Sequence, residues 1–114
     1  MNREIVVTMG GRNYTVKYPN VGQFIDIASK ENVLSRGTLK DMAFSDLSYQ
    51  GDAYVYVKII AFVEVMMPEL VRDLKVNSLL ELDPVDFQEL TNMYFDKILK
   101  WLNEWKERMQ KPTE

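Results

Sequence analysis

The sequence contains no cysteine and no histidine. Without cysteine there is neither a disulfide framework nor a thiolate metal site, and the redox compartment is left open. Without histidine the side chain most used as a general base is missing, which removes most Ser- or Thr-based hydrolase designs. Glycine and proline are sparse, at 5 and 4 residues, so the chain is neither collagen-like nor a low-complexity linker. Long apolar runs are also missing: the greasiest window, Tyr54 to Met67, is broken by Lys58 and Glu64 and falls short of the roughly 20 apolar residues that span a bilayer. No basic stripe is present and the formal charge is −3, which argues against nucleic acid as a partner. The start, Met1-Asn2-Arg3-Glu4 followed by a short apolar run broken by Thr8, is no secretory signal, so the cytoplasm is the expected location.

What is present is an ordinary globular composition, with 46% apolar and 27% charged residues in a chain of 114. That length supports one core, and the expectation is a single domain over 1–114. The expected class is α+β, mainly α: an N-terminal β-hairpin within 1–18, then a small helical bundle over 20–111 with a long C-terminal helix.

Gly10-Gly11 separates two segments rich in β-branched and aromatic residues, Glu4 to Met9 and Arg12 to Tyr18, the signature of a hairpin with a primed turn. A two-residue loop sets Val7 opposite Tyr14, Ile5 opposite Val16 and Glu4 opposite Lys17. The first two pairs make an apolar face, which must lie on a helix or join a larger sheet because a lone hairpin is marginal in water. Two readings of its edges stay open: a hairpin laid on its own helices, or one whose edge also pairs with a partner strand.

Asn20 caps a helix from about Val21 to Asn32, with Val21, Phe24, Ile25 and Ala28 as its expected packing stripe. Ser35-Arg36-Gly37 and Ser48-Tyr49-Gln50-Gly51 read as breakers around a short helix capped by Thr38. Asp52 to Met67 reads as a buried central helix, Pro68 to Leu74 as a short one, and Asn77 to Leu82 as a turn capped by Asn77. The strongest start is Asp83-Pro84-Val85-Asp86, with an N-cap, proline at the first helical position and an acid in the first turn. From there Phe87, Leu90, Tyr94, Ile98, Trp101 and Trp105 recur at steps of three and four to about Met109. Lys106, Arg108 and Lys111 suit the negative end of the helix dipole, and Pro112 reads as the stop.

No residue set points to catalysis, cofactor binding or a metal. Gly10-Gly11 lacks the spacing of a phosphate loop, Asp83 with Asp86 is explained as a helix start, and nothing places Asp46/Asp52 or Glu81/Asp83 in one cleft. No small-molecule substrate or membrane is expected. The remaining candidates are apolar. Met93, Phe95, Leu99 and Leu102 widen or leave the stripe of the C-terminal helix, and Met66-Met67 before Pro68 offers a soft edge. These six are the candidate protein-binding residues, because apolar side chains beyond what one packing face requires mark a second buried contact.

Four segments carry a resemblance: Tyr18 to Ile27 (YPNVGQFIDI), Pro68 to Leu74 (PELVRDL), Ser78 to Asp83 (SLLELD) and Trp101 to Trp105 (WLNEW). Together they resemble a small protein encoded among the virion genes of crAss-like tailed phages that infect gut Bacteroides. The resemblance consists of packing and capping patterns and implies no catalytic residues. It implies a structural role in the virion, reached through the host cytoplasm during assembly. Two forms are implied: an auxiliary capsid subunit bound to the major capsid protein, or a tail assembly chaperone that binds tail proteins. A sequence opening on Met1 without a purification tag tilts the expectation toward the subunit that stays in the particle. A small carboxylate-dependent hydrolase is the expectation from a third class.

Overall fold

The computed structural model describes residues 3–110. Strands β1 (Glu4–Met9) and β2 (Arg12–Lys17) are followed by helices α1 (Val21–Leu34), α2 (Leu39–Ala43), α3 (Ser48–Met66) and α4 (Pro68–Asp73). After a 3₁₀ turn (Leu79–Glu81) come α5 (Pro84–Met93), a π-helical stretch (Tyr94–Leu99) and α6 (Lys100–Gln110), which run on without a break as the C-terminal helix. The class is the expected one, a hairpin leading into a mainly helical chain with a long last helix.

The grouping of elements differs from the expected one. Two compact units form, one from Met1–Tyr18 with Asp83–Glu114, the other from Pro19–Leu82. The hairpin falls in the same unit as the last helix.

In the first unit the hairpin has the expected register, with Glu4 opposite Lys17, Ile5 opposite Val16 and Val7 opposite Tyr14. The turn explains it: Gly10 and Gly11 have φ of 59° and 77°, the left-handed pair that a primed turn requires and that side-chain-bearing residues avoid. Val7, Met9, Tyr14 and Val16 are buried. So are Phe87, Leu90, Met93, Tyr94, Ile98 and Trp101 along the C-terminal helix. Burying a side chain of this size contributes about 1.5–3 kcal/mol, which turns a marginal hairpin into a stable layer.

The helix start is also as expected: the Asp83 side chain accepts from Val85 N–H at 2.7 Å, with Pro84 at the first turn. The π-helical stretch was not foreseen. Its residues keep the 3.6-fold average of the buried series, so periodicity alone does not reveal it. Lys111 and Pro112, read as the dipole partner and the stop, lie outside the described residues.

The second unit is built on α3, whose Val57 and Ile59 to Val63 are buried. It begins earlier than expected. Ser48-Tyr49-Gln50-Gly51, read as breakers, form its first turn, where a missing side chain and unmade helical hydrogen bonds cost little. Asn20 caps α1 in a full capping box with Gln23. Thr38 stands before α2 but its hydroxyl donates to Ser35 C=O at 2.6 Å instead of capping. The 3₁₀ turn is capped by Ser78, not by Asn77.

Candidate interaction surfaces

The largest departure from expectation lies on α1. Val21, Phe24, Ile25 and Ala28 share one helix face, yet they are exposed: Val21 at 78%, Ile25 at 61% and Phe24 at 42%. The buried residues of α1 are Ile27 and Glu31. Two ion pairs join another side of α1 to α3. Glu31 Oε2 meets Lys58 Nζ at 2.9 Å, and Lys30 Nζ meets Glu64 Oε1 at 3.0 Å. Both carboxylates are largely shielded from water, but both lysines are more than a third exposed, so each pair contributes at most about 1 kcal/mol. The Lys30-Glu31 pair of α1 thus meets Glu64 and Lys58 of α3, Ile27 is buried, and the apolar stripe faces outward.

Glu64 does more than pair. Its second oxygen accepts from the Ser78 hydroxyl at 3.0 Å and from Leu79 N–H at 2.9 Å, tying the 3₁₀ turn to α3. Burial by itself would raise the Glu64 carboxyl, but donation from Leu79, Lys30 and Ser78 outweighs it and holds the group below its ordinary value.

Further apolar side chains are open around the same unit: Val33, Phe44, Leu47, Tyr49 and Leu80 are all exposed. Of the expected contact residues here, Met67 is only 4% exposed and Met66 is half-buried. Met67 thus fills the core at the α3–α4 junction and presents no surface.

On the first unit the expected residues separate by depth. Met93 is buried at 7% exposure, Leu99 and Leu102 are half-buried, and Phe95 is exposed at 42%. Met93 is corrected to core, because it falls within the series Leu90, Met93, Tyr94 that faces inward. Phe95 touches Tyr94 edge-on, with ring centroids 5.8 Å apart.

Near the far end of this helix Tyr18 sits between the two tryptophans, 5.6 Å from the Trp101 ring and 5.3 Å from that of Trp105. Arg3 lies over Trp105 at 5.5 Å. Burial raises the Tyr18 hydroxyl above its usual pKa, and the Arg3 charge partly offsets this.

Beside β1 runs an open groove of about 570 Å³ lined by Arg3, Glu4, Ile5, Val6, Thr15 and Lys97. The turn end of the hairpin is fixed separately, by Gly10 N–H donating to Glu89 Oε1 at 3.2 Å.

Among the described residues no group of three acidic side chains is placed to hold a metal ion, and no helix is long and apolar enough to cross a membrane. Asp83, considered with Asp86 as a ligand pair, is occupied as a cap. Comparison with family models, with curated proteins and with solved structures gives no match.

Proposed function

We propose that this chain is a non-enzymatic virion protein, an auxiliary capsid subunit that docks on the major capsid protein. The observation that carries the binding role is the outward stripe of α1, where Val21, Phe24 and Ile25 stand exposed on one face of one helix. Apolar side chains scattered singly over a surface are ordinary, but a contiguous stripe is the mark of a contact surface. The stripe falls inside Tyr18 to Ile27, one of the four segments that carry the phage resemblance. Phe95 on the C-terminal helix adds a second exposed aromatic.

Quantitative mass spectrometry of purified particles tests the assignment. A capsid subunit is present in a fixed ratio to the major capsid protein. A tail assembly chaperone is instead recovered with tail proteins from infected cells and is lost from finished particles. Glutamate at Phe24 and Ile25 together is expected to leave the isolated protein folded and to remove it from the particle.

A further inference from the structure

We propose that the outer edge of β1 is a strand-docking site that receives an extended, acidic segment of a partner protein as a third strand. This rests on the reading of the chain as a protein-binding subunit and names one of its contacts.

The backbone fixes which groups are offered. Tyr18 N–H donates to Arg3 C=O at 2.7 Å, so Arg3 and Tyr18 are a hydrogen-bonded pair. By alternation along the register, Ile5 with Val16 and Val7 with Tyr14 are bonded pairs as well. Glu4, Val6 and Thr8 are then the residues whose N–H and C=O groups point away from β2. Among the described residues the sheet has two strands, so these groups lie along its edge.

Edges that are not used are commonly blunted by proline, lysine or a bulge. β1 has no proline, lysine or bulge: its sequence is EIVVTM, its six residues pair one to one with β2, and its single charge, Glu4, stands opposite Lys17. Four consecutive residues, Arg3 to Val6, also line the open groove, together with Thr15 of β2 and Lys97 of the last helix.

Charge chooses the occupant. Two cations, Arg3 and Lys97, line the groove. Among the described residues the one lining carboxylate, Glu4, stands opposite Lys17 in the register. At the other end of the strand Glu89 accepts from Gly10 N–H, so the carboxylate there is already engaged, while the groove's cations stand at the Arg3 end, with Arg3 over the Trp105 ring. A docking strand therefore places a carboxylate between Arg3 and Lys97 and an apolar side chain over Val6, which is 61% exposed.

The test uses the full chain labelled with ¹⁵N and two synthetic nonapeptides, one alternating Val with Glu and one alternating Val with Lys. The acidic peptide is expected to half-saturate below about 1 mM, and to shift the Glu4, Val6 and Thr8 amides and slow their hydrogen exchange. Ile5 and Val7, already bonded within the hairpin, change less. The basic peptide is expected to bind at least about tenfold more weakly, and Lys97→Glu to reduce that preference by a similar factor. Val6→Pro removes an outward N–H without touching the ladder and is expected to abolish binding. Lys97→Glu, on an exposed position, keeps the test valid if the proline variant does not fold. Equal binding of both peptides, no binding, or binding that leaves the three amides unchanged overturns the proposal. Those outcomes leave the particle stoichiometry standing, whereas absence of the chain from particles removes the capsid role and leaves a measured edge contact intact.

Discussion

Replacing Glu64 by alanine is expected to destabilise the protein by about 2–4 kcal/mol, and the figure follows from its three partners. The Leu79 N–H is the main one, since Leu79 is 1% exposed and a hydrogen bond to a charged group is worth about 1.5–3 kcal/mol. Lys30 is more than a third exposed, so loss of that ion pair contributes at most about 1 kcal/mol. The Ser78 hydroxyl can turn to water and contributes least. Glu64→Gln keeps an oxygen for Leu79 and gives up the charge, so about 1 kcal/mol is expected.

Urea unfolding followed by far-ultraviolet circular dichroism separates the two variants. With a slope of roughly 1–3 kcal/mol per molar urea for a small protein, the alanine midpoint falls by about 1–2 M and the glutamine midpoint by about half a molar. The sign with pH follows from the carboxyl being held low in the folded state. Its contribution is complete above the ordinary carboxylate value and is lost as pH falls through the lower folded value. The alanine variant and the parent therefore converge in acid. Equal shifts for the two variants at neutral pH, or no convergence at low pH, would refute the assignment of Glu64 as the anchor of the 3₁₀ turn.

Three further outcomes are expected. Phe24→Glu and Ile25→Glu change unfolding stability by no more than about 0.5 kcal/mol, as for surface substitutions, whereas Ile27→Ala one turn-face away costs about 2–4 kcal/mol; equal losses in urea unfolding would show the stripe to be core. Phe95→Glu leaves the melting temperature nearly unchanged while Leu99→Glu lowers it, because Phe95 is exposed and Leu99 half-buried; calorimetry decides. Stability falls as pH rises past the ordinary tyrosine value of 10.0, because Tyr18 is held above it in the fold and the unfolded chain ionises first. Tyr18→Phe is expected to flatten that decline in alkaline melting curves.

How much was legible in the sequence depended on whether the deciding forces were local. The hairpin register and the start at Asp83 were legible because Gly10-Gly11 and Asp83-Pro84 act on their own neighbours. The inward series of the C-terminal helix was legible because an apolar period of 3.6 has one interpretation when a single face is buried. The face of α1 was not, since Val21, Phe24, Ile25 and Ala28 form a proper stripe, whereas the residues that pair with Lys58 and Glu64 of α3 lie on another side of the helix. The neighbouring Lys30-Glu31 was the available signal, two opposite charges beside the one residue, Ile27, that proves to be core. Met93 and Met67 were misplaced for a related reason: methionine suits a core gap and a contact surface equally well. The groove beside β1 could not be foreseen, because Lys97 joins Arg3 there only through the packing of the last helix on the first strand.

The first unit takes its residues from both ends of the chain, and this sets the order in which it can form. On the ribosome the hairpin emerges before the last helix, so Val7, Tyr14 and Val16 lack that partner until Pro19–Leu82 has been made and the last helix follows. For that interval a bare apolar strand pair is open to any neighbouring nascent chain, and the closing of the last helix is the step that ends the exposure.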